Sequence, residues 1–286
     1  MPVLPSPKTI MLIHGAWLTP ASWEPFRAHY EARGFTVIAP AWPYLDRPIT
    51  ELRANPDPRL ARLNLKDIAD HYEAQIRALP EKPILMGHSF GGLIVQMLLD
   101  RGLGAAGVAI DPAPPFGVPA HPRAVWTSLS VFTAWNAWNR ALTMSFDNFR
   151  TGFANTLPES EMRAAYDQYI VPTPGRIFFQ ALLGVGSKLT FPNPIRPPLL
   201  LTAAEFDRTV PLPMVRANAK KQAKSPSKTE LKIFPQRSHV LCLETGWEEV
   251  ADSILDWAIE AAKPSASTQA TAADELRTSP QLAEAY

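Results

Sequence analysis

The stretch Ile84-Leu85-Met86-Gly87-His88-Ser89-Phe90-Gly91-Gly92-Leu93-Ile94-Val95-Gln96-Met97-Leu98-Leu99 decides how the chain is read. A short apolar run leads into a glycine-rich knot, and a longer apolar run leaves it. The first suits a parallel strand buried on both faces, the second a helix packed on that strand. Between them, Gly87-His88-Ser89-Phe90-Gly91 has the G-x-S-x-G spacing of a sharp strand-to-helix turn. Such a turn strains the serine backbone and lifts its hydroxyl clear of the sheet. Small residues are needed at Gly87 and Gly91 because strand and helix approach closely there. Ser89 is thereby marked as a candidate nucleophile.

Working outward, the same alternation repeats. Lys8–Ile13 reads as a buried strand ending at His14-Gly15-Ala16-Trp17, followed by a helix from Trp23 to Arg33 with Ser22 as its N-cap. Phe35–Ala39 is a second strand, followed by an irregular polar stretch through Pro58. Asn64 caps an amphipathic helix whose apolar stripe is Leu65, Ile68, Ala69, Tyr72, Ile76 and Leu79. Strands follow at 84–86, 106–110, 198–202 and 230–234, and a helix over 246–262 closes the pattern. Strands alternating with helices predict an α/β fold, a doubly wound and mostly parallel sheet of about six strands. Two proline clusters, 112–122 and 192–198, bracket residues 113–195, which have their own aromatic-rich composition. They are expected to form a helical lid inserted after the fourth strand, with residues 1–112 and 196–262 as the core. Residues 263–286 lack apolar periodicity and are expected to be disordered.

Composition narrows the function. The chain has 286 residues, 46% hydrophobic and 19% charged, with a formal net charge of +1. So balanced a charge gives no electrostatic case for nucleic acid or an acidic membrane surface. One cysteine, Cys242, excludes an intrachain disulfide, and no apolar run reaches membrane-spanning length, so the cytoplasm is the expected compartment. No metal-ligand spacing stands out, and no phosphate-cradling glycine loop occurs outside the Ser89 turn. No cofactor or metal is expected, and no macromolecular partner is indicated.

Acyl transfer by a serine needs a base, a group to orient that base, and donors for the oxyanion. Open α/β sheets gather such groups at the carboxyl ends of their strands. His239, in the loop after the last strand, is the candidate base. His29 and His71 lie in helix patterns, His88 lies on the turn, and His121 sits among prolines. The loop Thr202–Pro211 offers Glu205 and Asp207, and a mid-loop aspartate before Val210-Pro211 suits the orienting role better. Asp111, at the end of the fourth strand, is a further candidate for the acid. The amide of Phe90, next to the nucleophile, and that of Ala16, in the loop after the first strand, are the candidate oxyanion donors.

These residues together resemble the α/β-hydrolase superfamily over most of Lys8 to Ala262. Within it the chain is similar to the lidded small-molecule esterases that group with plant methylesterases and hydroxynitrile lyases. The lyases carry Thr where this chain has Gly15 and Lys where it has Val240, which argues against cyanohydrin chemistry. Epoxide hydrolases and haloalkane dehalogenases use an aspartate where Ser89 stands. The resemblance implies a serine hydrolase of small apolar carboxylic esters, working through an acyl-enzyme with Ser89, Asp207 and His239. Acyl transfer to alcohols, lactone or carbon–carbon bond hydrolysis, and a non-catalytic ligand receptor are the alternatives. Phe146, Phe149 and Phe153 fall on one helical stripe. Most aromatics of the insertion, Trp126, Trp135 and Trp138 among them, are expected in a mini-core that glues it to the body, with a few facing an apolar gorge.

Overall fold

A computed structural model describes residues 7–263. All of the expected disordered tail except Lys263 lies outside these residues. The strands are β1 (Thr9–Ile13), β2 (Thr36–Ile38), β3 (Ile84–His88), β4 (Ala106–Ile110), β5 (Ala141–Leu142), β6 (Thr173–Pro174), β7 (Leu199–Ala204) and β8 (Thr229–Phe234). Six form one sheet in the order β2-β1-β3-β4-β7-β8, with every neighbouring pair parallel. The α/β architecture and the six strands match the expectation.

Side chains alternate across the sheet because successive Cβ atoms point to opposite faces. Ile10 and Leu12 of β1 join Met86, Val108 and Ile110 on one face, covered by helices Glu24–Ala32 and Trp247–Ala261. Met11 and Ile13 join Leu85, Ala109 and Leu201 on the other, under helices Leu65–Arg77, Phe90–Asp100 and Leu212–Gln222. The central strands β1, β3 and β4 are therefore buried throughout. Edge strand β8 instead exposes Glu230 and Lys232, charges that discourage pairing with another chain.

The register decides where loops meet. Ile13 pairs with Gly87, His88 with Ile110, Ile110 with Thr202, and Ala204 with Phe234. The loops after β1, β3, β4, β7 and β8 consequently leave from one edge of the sheet.

Some local readings are corrected. The first helix runs Glu24–Ala32 and follows a 3₁₀ turn, Pro20–Trp23, capped by Thr19. Ser22 is inside that turn and donates its hydroxyl proton to Thr19 O at 2.8 Å, so it is not the cap. The stretch before Pro58 is not wholly irregular, since it holds a six-residue helix, Ile49–Ala54, anchored by buried Leu52. Phe146 lies in a one-turn helix, Phe146–Asn148, whereas Phe149 and Phe153 bound a π-helical turn, so the three do not continue one regular stripe.

Between β4 and β7 the chain forms helices Pro122–Phe132, Glu159–Tyr169 and Arg176–Leu183 and the small β5–β6 pair. Part of its aromatic content makes an interior as expected. Phe149 packs on Phe153 and Tyr166, and Phe178 on Trp17 and Phe90. Trp126 and Trp135 are 77% and 80% exposed and belong to no core, which departs from the expected mini-core. A clamp fixes one part of this segment. Arg53 donates to the carbonyls of Tyr166, Asp167 and Ile170 at 2.8, 2.8 and 2.6 Å. These are carbonyls at the end of helix Glu159–Tyr169, where a cation offsets the negative end of the helix dipole.

Candidate active site

Ser89 occupies the turn between β3 and helix Phe90–Asp100 with φ 55° and ψ −119°, a conformation costly for any residue with a Cβ. Neighbours hold it there. Its N–H donates to Ile110 O at 2.9 Å, and its carbonyl accepts from Ala113 N at 2.9 Å. A Cβ on Gly91 would lie 2.0 Å from Ile13 O, so only glycine lets the helix approach β1 this closely.

The hydrogen bonds around His239 take their direction from its two partners. Its Nδ1 lies 2.6 Å from Asp207 Oδ2 and its Nε2 lies 2.9 Å from Ser89 Oγ. A carboxylate accepts, so Nδ1 carries the proton of the neutral ring and Nε2 is left to accept from the serine hydroxyl. All three side chains are buried. Asp207 has its other oxygen filled as well, since Oδ1 accepts from Thr209 N at 2.7 Å and Val210 N at 2.8 Å. Glu205, two residues earlier, turns away and accepts from Gln236 N at 3.0 Å.

Residues that the sequence did not mark hold the His239 loop. His88 Nε2 donates to His239 O at 2.7 Å, and the two rings lie 4.7 Å apart. Burial, reinforced by the proximity of His239, lowers the His88 pKa to about 3, so it serves as a neutral donor. Glu244 accepts from Ser238 N at 2.9 Å and also from the Ser238 hydroxyl. Phe153 meets the His239 ring edge-on at 4.6 Å. His88 and Phe153 reach this loop from distant parts of the chain, so spacing along the sequence could not reveal their contacts.

The loop after β1 is fixed by His14. Its Nδ1 donates to Gly15 O at 2.9 Å and its Nε2 accepts from Trp42 N at 3.1 Å. Burial lowers its pKa to about 4, in keeping with a structural neutral ring. The loop runs beside the serine, since a Cβ on Gly15 would come within 3.0 Å of Ser89 Cβ. Phe90 is the first residue of its helix, where the backbone N–H has no acceptor within the helix and the dipole favours negative charge.

Asp111 is also buried, with φ 41°. Its Oδ1 accepts from Ala204 N at 3.0 Å and Thr202 Oγ1 at 3.3 Å, while its Oδ2 has no partner. Asp111, Asp207 and His239 each contribute an atom to a group lying within 4.8 Å, the one such grouping of potential metal ligands among the described residues. Asp207 Oδ1 and Oδ2 and His239 Nδ1 already have hydrogen-bond partners, which leaves that grouping poorly suited to an ion.

Ser89 opens into a cavity of about 390 Å³ walled by Trp17, Phe90, Phe132, Phe153, Phe178 and Met214. Hydroxyls of Thr127, Ser128 and Thr209 are among its few polar groups. Val125, Leu129 and Leu182 line it and are also exposed, so they lie at its rim.

Comparison with known proteins bears on the family and the fold. The model of the alpha/beta hydrolase family matches residues 10–253. The fold is similar to a pyrethroid hydrolase from Sphingobium faniae JZ-2, with 20% identity, 88% of this chain and 97% of that one covered, and a TM-score of 0.65. It is also similar to an extracellular alpha/beta-hydrolase from a Paenibacillus species, with 21% identity, 87% and 98% covered, and a TM-score of 0.66. A monoacylglycerol lipase from Paleococcus ferrophilus gives 18% identity, 91% and 100% covered, and a TM-score of 0.61. A comparison with curated protein sequences finds no match. Among the described residues no helix is long and apolar enough to cross a membrane. With the sheet order, the strained serine turn and the family match in agreement, the chain belongs to the alpha/beta hydrolase family.

Proposed function

We propose that the protein is a serine hydrolase that cleaves small, mainly apolar carboxylic esters through an acyl-enzyme. The observation that carries the reading is the continuous line of hydrogen bonds from Ser89 through His239 to Asp207 at an apolar cavity. Ser89 Oγ attacks the ester carbonyl while His239 Nε2 takes its proton. Asp207 keeps Nδ1 protonated and stabilises the imidazolium. The Ala16 and Phe90 amides receive the oxyanion, the role that a helix's first amide is suited to fill. His239 then gives the proton to the leaving alcohol, and water, activated by the same imidazole, releases the acid. In this reading residues 113–195 act as a lid, and its apolar walls select the acyl or alcohol group. Several structural neighbours carry names of ester-cleaving enzymes, among them a polyneuridine aldehyde esterase, which is in keeping with the chemistry. The proposal includes a cytoplasmic setting, with which the single reduced Cys242 is compatible.

The scarcity of polar groups in the cavity favours a second reading, in which an alcohol rather than water takes the acyl group. A panel of p-nitrophenyl esters of graded chain length, assayed with and without added alcohol, tests both. Turnover that peaks on short to medium neutral chains supports the hydrolase. Transfer products dominating in dilute alcohol support the second reading. No turnover and no labelling of Ser89 by a fluorophosphonate would leave a ligand receptor.

A further inference from the structure

Asp111 is a buried carboxyl group that the proposed mechanism does not use, yet it stands against the residue that mechanism needs as a carboxylate. Its surroundings dictate its charge state. Oδ1 faces the donors Ala204 N and Thr202 Oγ1. Oδ2 faces no donor, and an ionised oxygen there would be left bare in a site closed to water. Asp207, beside it, is already supplied for the ionised form by Thr209 N, Val210 N and His239 Nδ1. Two carboxyl groups sharing a dry site do not both ionise, and the proton goes to the one with fewer donors.

We propose that Asp111 is held as the neutral acid and donates its Oδ2 proton to the Asp207 carboxylate, making it a positioning residue for the Asp207–His239 pair. Asp207 then receives a further hydrogen bond, which locks the orientation in which its Oδ2 meets His239 Nδ1.

Burial foremost, then the charge of Asp207, raise the Asp111 pKa well above the usual range, against the lowering by Ala204 N and Thr202. His239 meets Asp207 directly, and two further titratable groups nearby are biased toward their neutral forms by burial. Cys242, on the His239 loop, has its thiol pKa pushed up, and His88, at the end of β3, has its ring pKa pushed down. Thr202 on β7 and the Ser89 turn contribute only hydroxyl and backbone groups. The backbone is arranged to present the acid this way. Asp111 N donates to Thr202 Oγ1 at 3.3 Å, and the residue accepts a positive φ in doing so.

The inference rests on the proposed role of Asp207, so the test has a readout independent of turnover. Wild-type protein at neutral pH is compared with Asp111→Asn and Asp111→Ala by infrared difference spectroscopy, kinetics on a neutral p-nitrophenyl ester, and metal analysis. The amide of asparagine reproduces the neutral acid, with one donor and one acceptor in the same places. The expected result is a protonated-carboxyl carbonyl band in the wild type that both variants lack. Asp111→Ala is expected to lose about 10- to 100-fold in kcat with little change in KM, and Asp111→Asn to recover most of that loss. The inference is overturned by absence of the band, by Asp111→Asn failing as badly as Asp111→Ala, by Asp111→Ala matching the wild type, or by a stoichiometric metal ion in the purified protein. If Asp111→Ala does not fold, the band and the Asp111→Asn kinetics still decide. An enzyme without esterase activity but with the band would refute the proposed function and leave the protonation state standing.

Discussion

Ser89 and His239 are 150 residues apart in sequence, yet the serine Oγ and the imidazole Nε2 lie 2.9 Å apart. β3 and β8 deliver them to the same edge of the sheet, with β4 and β7 between. A single hydroxyl mediates the proposed attack, so Ser89→Ala should cut kcat by about 10⁴-fold or more. It should also abolish fluorophosphonate labelling while the thermal melt stays close to that of the wild type. Labelling at another serine would move the nucleophile elsewhere.

Asp207 and Glu205 differ in what they touch, and this separates their mutants. Asp207→Asn keeps the shape but offers His239 Nδ1 either a donor or a weaker acceptor. Turnover of a good ester should fall about 10²–10⁴-fold. Glu205 bonds only a backbone amide at Gln236, so Glu205→Gln should stay within about threefold of the wild type in steady-state kinetics.

Stability should depend on pH through His14, His88 and Asp111. Both histidines have folded pKa values, about 4 and about 3, below the ordinary 6.5. The unfolded chain therefore binds more protons below pH 6.5, and stability falls as pH drops from there toward 4. Each contributes a slope of about 1.4 kcal/mol per pH unit. Asp111 works in the opposite sense. Its folded pKa is raised, so its contribution is full below the ordinary 3.8 and is lost as pH rises from there through the folded value. It thus offsets one of the two histidines in the acid range. Urea melts from pH 4 to 8 should show a steeper acid loss in Asp111→Asn than in the wild type. Parallel curves would mean that Asp111 is ionised in the folded protein.

The cavity wall makes a prediction about substrates. Its lining is aromatic and aliphatic with only a few hydroxyls, so a charged acyl terminus would enter without a partner. Of two p-nitrophenyl esters of equal chain length, the one ending in a carboxylate should have kcat/KM lower by about 10²-fold or more. Equal values would show that the acyl chain does not occupy this cavity.

Gly91→Ala tests the contact between helix and strand. The added methyl would stand 2.0 Å from Ile13 O and 2.8 Å from His14 O, both backbone atoms. Helix and strand must separate, which should cost about 3 kcal/mol or more and lower the denaturant midpoint with an unchanged m-value. A midpoint matching the wild type would show that the helix sits further from β1.

The nucleophile turn, the alternation of strands and the candidates Ser89, Asp207 and His239 were legible because their signals are local. Each is a residue type at the end of an apolar run, and the parallel sheet sends all such ends one way. Asn64 was readable as a cap for the same reason, and its side chain accepts from Asp67 N. What the sequence hid depends on groups brought in from distant segments. Arg53 falls in a stretch that reads as irregular and polar until Tyr166, Asp167 and Ile170 arrive over it. Asp111 reads as a candidate acid at the end of the fourth strand, and only the fold shows that Asp207, not Asp111, meets His239. Trp126 and Trp135 look like core aromatics by type, but the helix and turn that carry them turn these rings outward.

The Arg53 clamp and the cavity rim fall on two unlike parts of the chain between β4 and β7. One is tied to Arg53 by charge-assisted bonds to a helix end, and changes there would disturb the fold. The other is helix Pro122–Phe132, whose Val125 and Leu129 line the rim without touching the triad. A family scaffold built this way separates reaction from preference. On the proposed function, exchanges at this rim should admit longer or bulkier chains while Ser89, Asp207 and His239 keep their distances, so that new substrates are acquired in small steps.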